Sequence, residues 1–147
     1  VAPDDRAGGA AAGGRQNVMI DRFDHVVLTV RSLEATLDFY EHALGFKSEF
    51  RPGAPAALKF GRQKINVHER EGAFEPKAAE PTPGSADFCL ITPRPIEEII
   101  AHLRSCGVAI ELGPVARHGA LGPMKSVYFR DPDGNLLEVS RYDDKDA

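Results

Sequence analysis

The sequence predicts an α+β fold of two βαβββ modules that together form a curved mixed sheet. Three observations carry this. Strand-like and helix-like segments follow one another in the order β-α-β-β-β. That order occurs twice along the chain. The two halves also align without a gap at first, His25 to Gly45 mapping onto Asp87 to Gly107 at a constant offset of 62.

Module one is expected over residues 22–70. Phe23 to Val30 is rich in β-branched residues and reads as a strand. Ser32 then suits a helix N-cap; Leu33, Leu37, Tyr40 and Leu44 recur at helical spacing, and Gly45 stands where a helix ends in a left-handed residue. Three short strands follow at Phe46 to Arg51, Ala56 to Gly61 and Lys64 to Glu69. Pro52, Gly53 and Pro55 punctuate the first gap, and Gly61 with Arg62 the second.

Module two is expected over residues 85–142. Ala86 to Ile91 is apolar and strand-like, and Pro95 suits a first helical turn. Ile96, Ile99, Ile100 and Leu103 form a helical stripe that Gly107 closes. Ala109 to Leu112, Ser126 to Arg130 and Leu136 to Ser140 supply three more strands. A long loop is expected from Gly113 to Met124, and it widens the offset between halves to 70, pairing His68 with Glu138.

Composition bounds the function. The chain has 147 residues with 42 % hydrophobic content, enough for one domain with a real core. No run approaches the length of a membrane span. A formal charge of −4 argues against nucleic-acid binding, which usually needs a basic stripe. Cys89 and Cys106 form neither a C-x-x-C pair nor a disulfide framework, and a reduced cytoplasmic setting is the expectation. Residues 1–18 are half Gly and Ala, with too little apolar area to offset the entropy of ordering them. They are set aside as a flexible tail.

Alternation within strands assigns faces. In Ile65-Asn66-Val67-His68-Glu69 the aliphatics point one way and Asn66 and His68 the other; in Leu136-Leu137-Glu138-Val139, Glu138 opposes Leu137 and Val139. With helices covering the aliphatic faces, His68 and Glu138 project from the uncovered concave face. His25 and Asp87 hold equivalent places near the starts of the leading strands.

The segment Phe129-Arg130-Asp131-Pro132-Asp133-Gly134-Asn135-Leu136-Leu137-Glu138 resembles the closing signature of the vicinal oxygen chelate superfamily. His25, Leu37-Asp38-Phe39-Tyr40 and Leu44-Gly45-Phe46 match other parts of the family pattern, so the resemblance spans residues 20–142. His68-Glu69, Phe74-Glu75-Pro76-Lys77-Ala78 and Pro83-Gly84-Ser85 are similar to the branch of glyoxalase domain-containing protein 5. The resemblance implies a glyoxalase-like domain whose curved sheet surrounds a divalent metal (Zn, Ni, Mn, Co or Fe), and a homodimer. It implies His25, His68, Asp87 and Glu138 as metal ligands, Asp87 being the one whose short side chain reaches the ion directly or through water. Asp131-Pro132-Asp133-Gly134 is a turn on physical grounds, Pro fixing φ and Gly accepting positive φ, and its expected work is to aim the last strand.

A mixed N/O site suits Lewis-acid chemistry on a small substrate with adjacent oxygens. Glyoxalase-like lyase or isomerase chemistry is therefore the expected activity. An extradiol Fe(II) dioxygenase and a non-catalytic small-molecule binding or resistance module are the alternatives. Glu138 and Tyr128 are the expected catalytic groups, Tyr128 also as a hydrogen-bond donor to substrate. Arg117, in the long loop, is the expected anion contact, and Lys125 a surface charge. His42, His102 and His118 are expected at the surface.

Overall fold

The computed structural model describes residues 18–147. Most of the tail expected over residues 1–18 therefore lies outside the described residues. From there the chain runs β1 (His25–Val30), α1 (Leu33–Leu44), β2 (Lys47–Glu49), β3 (Ala56–Phe60) and β4 (Gln63–Glu69). It continues with β5 (Asp87–Ile91), α2 (Ile96–Ser105), β6 (Leu112–Gly119), β7 (Gly122–Arg130) and β8 (Leu136–Tyr142). These form two four-stranded mixed sheets of matching order, β1-β4-β3-β2 and β5-β8-β7-β6, each with its leading strand parallel to its fourth. The α+β architecture of two repeated βαβββ units follows.

Local chemistry fixes the helix ends. The Ser32 hydroxyl accepts from the Ala35 amide at 3.1 Å, and Gly45 closes α1 at φ 71°. Pro95 stands just before α2 at φ −55° rather than within its first turn; its missing N–H costs nothing there. Leu37 and Tyr40 of α1, and Ile96, Ile100 and Leu103 of α2, enter one core shared with Leu28, Val30, Leu58, Ile65, Phe129 and Leu137. The helices thus cover one face of each sheet and leave the other uncovered.

The largest departure from the sequence reading is the segment Gly113 to Met124. It is not a loop but most of a long hairpin, with Gly119 paired to Gly122 around its tip. Gly113-Pro114 reads as punctuation, yet the β6–β7 register shifts between Leu112 and Val115, and that irregularity accommodates a residue without an N–H. A Cβ at Gly113 would meet the Ser126 carbonyl at 2.7 Å, so only glycine lets β6 approach β7 there.

A buried polar knot ties the two modules. The Tyr40 hydroxyl donates to Asp131 Oδ2 at 2.9 Å, and the Asn135 side-chain amide donates to the same oxygen at 2.7 Å. Asp131 Oδ1 accepts from the amides of Asp133 and Asn135, while Asn135 Oδ1 accepts from the Ala86 amide just before β5. Burial and the Asp131 charge push the Tyr40 phenol pKa upward. The Asp-Pro-Asp-Gly turn is therefore a fixed corner from which β8 departs. Among the described residues no helix is long and apolar enough to cross a membrane, and both cysteines are free thiols.

Candidate metal and substrate site

Ladder register decides which side chains share the uncovered faces. In the first sheet His25 pairs with Lys64, Val27 with Asn66 and Thr29 with His68. In the second, Asp87 pairs with Leu136, Cys89 with Glu138 and Ile91 with Ser140. Glu138 thus stands two residues beyond the partner of Asp87. The residue two beyond the partner of His25 is Asn66. The structural offset between halves is therefore 72 here (66 to 138), not 70, and His68 corresponds to Ser140. His68 lies four residues along the ladder from His25, ~13 Å at strand rise, the far limit for two imidazoles to share an ion.

Asn66 escaped the sequence reading as a site residue because an amide lacks the ligand signal of His or Glu. Its side-chain oxygen is buried and has no hydrogen-bond partner among the described residues. Such an orphan acceptor costs about 1–3 kcal/mol unless something binds it. His25 is exposed at the mouth of the same face, and its Nδ1 donates to Asp24 at 2.8 Å, holding that carboxyl below its usual range. This fixes the tautomer and leaves Nε2 free to ligate.

Glu138 is built in more tightly. Its Oε2 accepts from Ser126 Oγ at 2.6 Å and from Ser140 Oγ at 3.1 Å, and both serines are fully buried. Oε1 is left for another partner. The Cys89 thiol lies 3.2 Å from Ser140 Oγ, and burial raises its pKa. Asp87 is exposed at the start of β5. No group of three or more His, Cys, Asp or Glu among the described residues gathers closely enough to hold a metal. The donor types suit a divalent ion, and along the ladders they stand as two separate pairs, His25 with Asn66 and Asp87 with Glu138.

Other expected residues fall clearly. Arg117 lies on β6, not in a loop, paired with Met124 on the face shared with Tyr128. Its Nε donates to the Tyr128 hydroxyl at 3.0 Å, and its guanidinium lies 5.4 Å from the ring centroid. Because that phenol oxygen accepts from Arg117, its own proton is free to be donated. Lys125 has the opposite parity and points away from this face. His118 is also in β6 and exposed. His102 Nε2 bonds the His42 carbonyl at 3.0 Å, where the exposed faces of the two helices meet.

His68 is the buried imidazole of the set, 5 % exposed. Its ring packs against Phe74 at 5.6 Å between centroids. Burial, assisted by the nearby Lys77 charge, holds its pKa below the ordinary histidine value.

A family model for the glyoxalase/bleomycin resistance protein/dioxygenase superfamily matches residues 22–139. The chain belongs to that superfamily. It is 51 % identical over 125 residues to virulence protein STM3117 of Salmonella typhimurium, covering 85 % of this chain and 87 % of the relative. The crystal structure of that protein superposes with a TM-score of 0.83 over 85 % of this chain and 99 % of the other. Glyoxalase domain-containing protein RDO1 of Mycosarcoma maydis is 42 % identical over 130 residues, 88 % of this chain and 73 % of the relative. A catechol-2,3-dioxygenase of Bacillus subtilis is 30 % identical over 113 residues, 76 % of this chain but 38 % of the relative.

Proposed function

We propose that this superfamily member is a divalent-metal-dependent enzyme carrying out lyase or isomerase chemistry on a small substrate with adjacent oxygens. The carrying observation is the matched stagger of His25 with Asn66 and of Asp87 with Glu138, two half-sites on equivalent faces. In this reading His25, Asn66 and Glu138 hold the ion, with Asp87 beside it. The site is completed by a second copy.

The leading strands support that pairing. Both β1 and β5 are outer strands, and each exposes aliphatic side chains, Val27 at 47 % and Ile91 at 54 %. An outer strand leaves one row of backbone N–H and C=O groups unpaired, which a partner strand can cover, and these side chains lie on the sheet faces beside it. A C2 dimer would set module one of each copy against module two of the other.

When bound, the ion supplies a Lewis acid for two substrate oxygens. The chain's own groups do the rest. Asp87, exposed and in no salt bridge among the described residues although Arg130 feels its charge, takes the proton next to the substrate carbonyl. Tyr128 donates its proton to a substrate oxygen, and Arg117 holds that phenol in place. Ser126 and Ser140 fix the Glu138 carboxylate so that one oxygen alone faces the site.

The similarity to a protein named catechol-2,3-dioxygenase favours a second reading, Fe(II)-dependent ring cleavage. Activity against metal substitution separates the two, using α-hydroxy-carbonyl compounds, epoxides and catechols. Turnover with redox-inert Zn or Ni and no oxygen uptake supports the lyase or isomerase. Oxygen consumption with catechols that requires Fe(II) installs the dioxygenase. Tight metal binding without turnover on any of these leaves a binding module.

A further inference from the structure

Between β4 and β5 the chain folds back as a strap over one end of the module-one face. Beneath it lies a cavity of about 160 Å³. That is room for about five water molecules, or one small organic acid. Val27, Thr29 and His68 line one side, and the strap residues Pro76, Lys77 and Pro81 line the other. Val27 is the ladder partner of Asn66, so the cavity opens beside the candidate metal half-site.

Two features of the lining point to a ligand. His68 as a whole is almost fully buried, and its ring nitrogens make no hydrogen bond to protein among the described residues, yet they are not sealed from solvent, and the ring lines this cavity. An imidazole nitrogen that carries no protein hydrogen bond and stays accessible is free to bond whatever enters the cavity. Lys77 of the strap also lines the cavity, its charge close enough to lower the His68 pKa and its ammonium ion-paired to exposed Glu75 at 3.3 Å. Prolines and alanines supply much of the remaining wall. The lining holds one cation, Lys77, and one carboxylate, Glu80, so at most one negative charge can be matched there, and an entering anion must take Lys77 from the solvent-exposed Glu75.

We propose that this cavity is a subsite for the carboxylate arm of a small monoanionic substrate, bound by the Lys77 ammonium and the His68 imidazole. The proposal rests on the metal-dependent reading and narrows its substrate class to small acids. With the carboxylate under the strap, the neighbouring oxygens lie over Asn66 and the open face.

Lactate is a suitable probe, and lactamide its uncharged counterpart. Each is titrated into the full chain, zinc-free and zinc-loaded, while amide signals of residues 77–82 and the His68 ring are followed by NMR. Lactate should shift these signals saturably, with lactamide at least about tenfold weaker. Lys77→Met should weaken lactate by about tenfold, Lys77→Arg should largely restore it, and His68→Asn should weaken it, with zinc affinity unchanged. Equal binding of lactate and lactamide, indifference to Lys77→Met, or no lactate binding by the wild type would each overturn the subsite. Lactate binding by a chain that takes up no zinc keeps the subsite and overturns the metal reading. Zinc binding without selective lactate binding does the reverse.

Discussion

Asn66 occupies in the first sheet the ladder position that Glu138 occupies in the second, each two residues beyond the partner of its module's leading donor. The correspondence turns an inconspicuous amide into a candidate ligand and frees His68 for another task. Metal titration of single variants checks this. Asn66→Ala should lower zinc affinity at least about tenfold, and His68→Ala should leave it nearly unchanged.

Ser126 and Ser140 hold one oxygen of Glu138 between them. Charge-assisted hydrogen bonds to a half-buried carboxylate orient it at little entropic cost. The Ser126→Ala, Ser140→Ala double variant should bind zinc about 10- to 100-fold more weakly while keeping a folded far-UV spectrum. Ser126→Thr should recover part of the loss, since the hydroxyl returns.

The Tyr40–Asp131 bond predicts a pH dependence of stability. The phenol pKa is raised in the folded chain from its ordinary value of 10.0, so its proton is retained there after the unfolded chain has lost it. Its contribution is therefore complete below about pH 10 and is lost as pH rises further. Urea unfolding from pH 8 to 11 should show that decline in wild type and a flatter profile in Tyr40→Phe. At pH 7 the variant should be less stable by about 1.5–3 kcal/mol, the range for a hydrogen bond to a charged group.

Most of the fold was legible because its signals are local. Ser32 and Gly45 announce α1, and the alternation Ile65-Asn66-Val67-His68 announces which way β4 faces. Gly113-Pro114 misled for a local reason too: proline and glycine mark a loop unless a register shift absorbs them, and the shift depends on the distant strand β7. The site was half legible. Parity put His68 and Glu138 on the uncovered faces, but choosing Asn66 over His68 as the counterpart of Glu138 needs the inter-strand register. The strap over His68 was invisible to pattern, because residues 70–86 contain neither strand nor helix.

Association should depend on the outer strands. Light scattering of the wild type is expected to give twice the 15.9 kDa chain mass. Ile91→Glu places a charge on the exposed side of β5 while leaving every candidate metal donor intact. That variant should be a monomer and should lose metal affinity together with dimerisation.

Complementation tests the central claim most directly. One variant carries His25→Ala and Asn66→Ala, the other Asp87→Ala and Glu138→Ala, and zinc stoichiometry is measured for each alone and after co-refolding. Each alone should bind no stoichiometric zinc. A site built from module one of one copy and module two of the other predicts one ion per mixed dimer, since one composite site regains all its donors. Mixed dimers that form but remain free of zinc would contradict it.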